Sequence, residues 1–158
     1  MALDWSQQNT AAFLSKDLPQ SYFGEGCTLF NGRFYQMTYR ERKVFVYDQH
    51  TLEIVEELNM PAEMEEGWGL SHDQEHLWAS DGTNQIFKLD PSDFSVVKIF
   101  KVETSQGTPV RFINELEVVG DLIYGNVLPL NVVIEIDKKT GTLTNVYDFK
   151  ELFNIQMK

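Results

Sequence analysis

From Tyr22 onward the chain is written in short runs that alternate apolar and polar residues, each broken by a turn signal. Residues 34–39 (FYQMTY) are rich in strand formers and follow Asn31-Gly32, a strong hairpin dipeptide. Residues 44–47 (VFVY) predict the next strand, Asp48-Gln49-His50-Thr51 a turn, and 54–58 a closing strand. The same succession then returns. Strand signals at 68–70, 77–79, 86–89 and 96–102 are separated by His72-Asp73-Gln74, Asp81-Gly82 and Asp90-Pro91-Ser92. A third set lies at 116–119, 122–124, 132–136 and 143–147, with turns at Gly120-Asp121 and 137–141. Loop runs longer than a turn are few, and the main one, 104–109, joins the second set to the third.

These sets form a repeat. Blocks open at Glu25, Glu66 and Glu115 and reach strand-ending aspartates Asp48, Asp90 and Asp137 after 23, 24 and 22 residues. Units of four short strands in meander order predict an all-β chain built as the blades of a β-propeller. The blade-like repeats span about 22–60, 61–105 and 109–149 of a propeller region covering 21–158. Residues 1–20 stand apart: Asp4 can cap a short helix through Trp5, Ala11, Ala12, Phe13 and Leu14, which Pro19 ends. Three blades fall short of the usual number, about four to eight, because a ring must close to cover its edge strands. The expectation is therefore a fragment of a longer propeller; self-association through uncovered blade edges, or an open stack, is the alternative.

Composition narrows the class. A chain of 158 residues with 42% hydrophobic and 13% aromatic content can bury one domain core. Its net charge of -11 argues against nucleic acid and against anionic membrane surfaces, both of which are bound by clustered Lys and Arg. No apolar run approaches the roughly 18 residues that span a bilayer. The start MALDWSQQNT shows neither the basic nor the apolar part of a secretory signal, although an incomplete N-terminus would leave the secretory route open. The single cysteine, Cys27, cannot form an internal disulfide. Its place on an apolar run beside Leu29 predicts a buried, inert thiol.

Chemistry can enter where the repeats differ, at the first strand of each unit, since innermost strands line a propeller's channel. Segments 23–26, 66–70 and 114–117 carry Glu25, Trp68, Asn114 and the carboxylates Glu66, Glu115 and Glu117. Glycines beside Glu25 and Trp68 point to bulges or close backbone approach. Out of context Glu25 is a solvated turn residue, Trp68 core and Asn114 a turn former. The other three carboxylates read first as a solvated face. His72 and His76 sit on a turn and a strand start, where their spacing does not make a metal site.

Taken in order, FGEG, QMTY, EGWGL, SDGT, INELE and GNV resemble the plant and bacterial type of glutaminyl-peptide cyclotransferase, the glutamine cyclotransferase family. The resemblance runs from Tyr22 to about Phe149. It implies a five-bladed propeller that converts N-terminal glutamine of peptides or proteins to pyroglutamate with release of ammonia, using no metal or other cofactor. It also implies roles. Glu25 matches the catalytic glutamate, a proton shuttle; Asn114 matches an amide that holds the carboxamide or the developing oxyanion; Trp68 matches a wall for the glutamine side chain. Two substrate-binding positions depart from the pattern: Tyr39 stands where the family has tryptophan, and Leu128 ends a segment that elsewhere reads N-V-W. A noncatalytic propeller that binds a peptide or protein in its channel is the rival reading, and Leu128 is its best support.

Overall fold

The computed structural model describes residues 14–151. They form twelve strands: β1 (Gly24–Phe30), β2 (Arg33–Thr38), β3 (Lys43–Asp48), β4 (Ile54–Asn59), β5 (Leu70–His72), β6 (Leu77–Ser80), β7 (Gln85–Leu89), β8 (Val96–Lys101), β9 (Ile113–Val119), β10 (Leu122–Val127), β11 (Val132–Asp137) and β12 (Leu143–Asp148). Every pairing is antiparallel and between consecutive strands, which makes three four-stranded meanders, β1–β4, β5–β8 and β9–β12. The expected strand runs are present, except that β5 begins at Leu70, where the run expected at 68–70 ends, and takes in His72, a residue expected in a turn. The helix expected through Asp4 lies outside the described residues except for Leu14, which is in a bend.

The turns explain why the repeat is visible. Asn31 and Gly32, with φ of 48° and 79°, form the two-residue loop between Phe30 and Arg33 that their dipeptide predicts. The three strand-ending aspartates build one turn three times. Asp48 Oδ1 accepts from the amides of His50 and Thr51, Asp90 Oδ1 from Ser92, and Asp137 Oδ1 from Lys139 and Thr140. In each, the residue four places on has positive φ, namely Leu52, Phe94 and Gly141, and its amide returns to the aspartate carbonyl. Asp is selected here because its short carboxylate reaches amides two and three residues ahead.

Successive sheets stack face to face, and the core lies in two slabs between them. The first holds Met37, Val44, Val46, Leu70, Leu77, Phe87 and Leu89; the second holds Trp78, Ile86, Ile113, Leu116, Ile123, Ile134 and Ile136. Strand alternation sends Leu77 and Ala79 of β6 to one slab and Trp78 to the other, so all four residues of this strand are buried. The closing strands β4 and β12 are largely exposed. Contacts between sheets run mainly through the first strands, β1 against β5 and β5 against β9.

Close approach at those strands depends on two glycines. A Cβ on Gly26 would lie 2.5 Å from the Trp68 carbonyl oxygen, and one on Gly69 would collide with the Asn114 carbonyl. The space is used for cross-sheet hydrogen bonds, Gly26 N to Trp68 O at 2.7 Å and Ser80 Oγ to Asn114 O at 2.5 Å.

Cys27 corrects one expectation: it is exposed. The β1–β2 register slips between Gly24 and Cys27, so a bulge reverses the alternation that Cys27 and Leu29 display in sequence. Past the bulge, Phe30 enters the first slab and Thr28 meets His72, while Leu29 faces outward at 42% exposure.

Candidate active site

The same bulge recurs on all three first strands. Glu25 and Gly26 lie between the pairs Gly24↔Thr38 and Cys27↔Gln36; Asn114 and Glu115 lie between Ile113↔Val127 and Leu116↔Gly125. In the second sheet Ser80 bonds both Trp68 and Gly69, accepting from the Trp68 amide at 3.2 Å and donating to the Gly69 carbonyl at 3.0 Å. Glu25, Trp68 and Asn114 thus occupy one structural position in three successive units. The block starts that spacing alone aligned, Glu25, Glu66 and Glu115, are offset from this register.

Tyr39 and Leu128 are also equivalent. Each lies at the end of its unit's second strand, and its amide bonds the carbonyl just ahead of the first, Tyr39 N to Phe23 O and Leu128 N to Phe112 O, both at 2.9 Å. Gly82 fills this place in the second unit, where its carbonyl accepts from the Phe112 amide. All five candidate residues therefore gather at one end of the sheets. Phe23 and Phe112 join them there, exposed by 63% and 53%, and the ring of Phe23 meets that of Tyr39 edge-on at 6.2 Å. Sequence reading gave Phe23 and Phe112 no role, because a lone aromatic beside a strand is indistinguishable from core.

Trp68 is held on two sides. Its ring lies over Gly82, where a Cβ would come within 2.5 Å of the indole, and its Nε1 donates to Glu66 Oε2 at 3.0 Å. The other oxygen of Glu66 accepts from Arg40 Nε at 2.7 Å. Arg40 in turn donates from Nη2 to the Tyr39 hydroxyl at 3.0 Å and stacks on that ring, 4.5 Å from its centroid. Arg40 is the polar residue that sequence reasoning missed, and Glu66 reads first as part of a solvated face; their contact joins residues 26 positions apart in chain order and has no local signature.

Electrostatics separate the carboxylates. Burial pushes the Glu25 carboxyl up from its ordinary value, and the negative charge of Glu66 pushes the same way. Glu115 is raised by burial and then by Glu25 and Glu117. Burial also pushes Glu66 upward, but hydrogen bonds from Trp68 and Arg40 outweigh it and hold the carboxyl below its usual range. The site therefore pairs a carboxylate fixed in its ionised form with one, Glu25, that takes up a proton more readily. That combination suits proton transfer.

A hollow of about 690 Å³ opens at the opposite ends of the same strands, lined by Phe30, His72, Asp73, Val118, Asp121 and Lys138 among others. None of the candidate residues lines it. Three of its polar side chains are engaged with neighbours: His72 Nδ1 with Thr28 Oγ1 at 2.9 Å, and Asp73 Oδ2 with Lys138 Nζ at 3.2 Å and Trp78 Nε1 at 3.0 Å.

Fold and site together describe a repeat-built β protein with a raised carboxyl, Glu25, and several aromatic side chains at one end of its sheets. Comparison with known proteins gives the family. The profile of the family described as glutamine cyclotransferase matches residues 3–158, so the chain belongs to that family. A curated glutaminyl-peptide cyclotransferase of Arabidopsis thaliana is 33% identical over 126 residues, covering 80% of this chain and 38% of that protein. The crystal structure of Myxococcus xanthus glutaminyl cyclase superposes with a TM-score of 0.76 at 32% identity, over 85% of this chain and 56% of that one. A chain of a nidogen/laminin complex, at 15% identity and a TM-score of 0.60, shares the fold alone. The chain thus spans between a third and three fifths of the length of these two family relatives.

Proposed function

We propose that this chain carries the catalytic end of a glutaminyl-peptide cyclotransferase, and that its three sheets are three blades of a five-bladed propeller. The observation that carries the reading is the equivalence of Glu25, Trp68 and Asn114 on three successive first-strand bulges, with the Glu25 carboxyl raised beside a fixed negative charge. The substrate class is a peptide or protein with an N-terminal glutamine.

In this reaction the α-amine nitrogen attacks Cδ of its own side chain. The N–Cδ bond forms, the Cδ–Nε bond breaks, and one proton passes from the attacking amine to the departing nitrogen, which leaves as ammonia. Glu25 takes that proton and returns it to the leaving group. Asn114 donates its side-chain amide to the oxygen of the reacting carboxamide as negative charge develops there. Trp68 and Tyr39 confine the glutamine side chain in the folded-back conformation that brings amine and carboxamide together. Leu128 leaves one wall short of the ring that relatives place there. That shortfall favours a second reading, a peptide-binding member of the family without turnover.

Ammonia release from a Gln-initiated peptide separates the two. The enzyme reading expects turnover by the wild-type chain, and Glu25→Gln lowers kcat by about 10²–10⁴-fold while the unfolding midpoint does not fall. Saturable binding of the peptide by folded wild-type protein with no ammonia released would establish the binding reading instead.

A further inference from the structure

We propose that Arg40 is a positioning residue that ties the two aromatic walls, Tyr39 and Trp68, into one unit through Glu66. The inference rests on the proposed function only for what the walls hold; the tie itself is a matter of geometry. Arg40 uses Nη2 on the Tyr39 hydroxyl at 3.0 Å and Nε on Glu66 Oε1 at 2.7 Å, while Glu66 Oε2 takes the indole N–H of Trp68 at 3.0 Å. A backbone bond between Tyr39 O and Gly67 N, 2.8 Å, runs beside this chain of side chains and fixes the spacing of the two segments.

The tie needs the residue found at position 39. A tryptophan there would keep a ring to stack on but present an indole, which donates and cannot accept, so Arg40 would lose its hydrogen-bond acceptor on that wall. Tyrosine supplies an acceptor as well as a ring for the guanidinium to stack on, at 4.5 Å. Arginine is likewise required, because its planar fork serves two acceptors in fixed directions and lysine is a single point charge. Arg40 is 67% exposed, so its contribution is orientation of the walls and not stability of the fold. Gly82 completes the arrangement by leaving room for the Trp68 ring, which a Cβ there would meet, while Glu66 fixes the indole edge.

The test uses the full chain, labelled with ¹⁵N at the indoles, and two independent readouts. In the free protein, Arg40→Met is expected to move the Trp68 Nε1–H resonance, with Tyr39→Phe moving it less and Arg40→Lys giving an intermediate position. In turnover of a Gln-initiated dipeptide, Arg40→Met is expected to raise KM about two- to fivefold with kcat little changed, as loss of one exposed charge-assisted contact allows. Combining Arg40→Met with Tyr39→Phe should cost no more than Arg40→Met alone, since both cut the same link. An unmoved Trp68 indole resonance in Arg40→Met, or fully additive effects of the two substitutions on KM, overturns the proposal. If the wild-type chain releases no ammonia, the proposed activity fails, and the indole resonance together with dipeptide affinity in the same variants still decides the tie.

Discussion

The surroundings of Glu25 make its ionised form costly, first by burial and then through Glu66, which is what the proposed proton shuttle needs. Glu66→Gln removes the second cause, so the Glu25 carboxyl is expected to titrate lower than in wild type, read directly by its ¹³C resonance. No change would mean that burial alone sets its value. In wild type the raised carboxyl is easier to protonate folded than unfolded. Its ionisation therefore costs stability as pH rises from the ordinary glutamate range to the folded value. At the other wall, Leu128→Trp is expected to raise kcat/KM for Gln-initiated peptides by restoring a ring beside Phe112 and an indole donor. An unchanged rate would show that the missing ring is not what limits this chain. These positions differ in how far sequence could reach them. Glu25, Trp68 and Asn114 were legible through short motifs, because glycine and strand signals flank them. Glu66 was visible only as one acid among many, since its partner Arg40 comes from another unit.

At the scale of elements, the bulge is the device that matters. A regular strand would continue the alternation of Cys27 and Leu29 toward the core; the extra residue turns that face outward and leaves Glu25, Trp68 and Asn114 displaced from the ladder. The glycine that follows in the first two units lets neighbouring sheets approach to backbone hydrogen-bond distance. Gly69→Ala should therefore destabilise the fold by about 1–3 kcal/mol, the usual range for overpacking, because the added methyl meets the Asn114 backbone carbonyl. Its effect on KM should exceed that of an equally destabilising change in an outer strand, since it pushes apart the segments carrying Trp68 and Asn114. Denaturant midpoints and kinetics on the same samples check both expectations. The glycines were readable as a sign of close approach, but the parity of the strand after them was not. One unpaired residue flips every following side chain, and nothing in composition marks where it sits.

Across the whole molecule, the middle sheet is the best protected. It is buried on both faces, whereas the outer faces of the first and third sheets carry exposed residues such as Leu29, Val119 and Tyr147. Hydrogen exchange is expected to be slowest in β6 and β7 and fastest in β4 and β12. Asp73 joins the second unit to the third by accepting from Lys138 Nζ, and within its own unit accepts from Trp78 Nε1 and caps its turn through the amides of Glu75 and His76. Burial pushes its carboxyl upward, but these bonds outweigh it and hold it far below the usual range. The stability it confers is thus complete above the ordinary aspartate pKa and is lost as pH falls toward the folded value. Asp73→Ala should lower stability by about 2–3 kcal/mol at neutral pH, as loss of hydrogen bonds to a charged group does, and flatten the acid limb of the stability profile. Everything encoded locally could be read from the chain alone: eleven strand runs in three repeating sets, the Asn31-Gly32 hairpin, the three aspartate turns and the repeat they mark. Those features need only neighbours a few residues away. Tertiary structure alone decided which residues of the three units are equivalent, that Cys27 faces outward, and that Arg40, Glu66 and Trp68 meet. Each depends on how one sheet is set against the next, and that is fixed by close packing across the slabs and not by any local pattern.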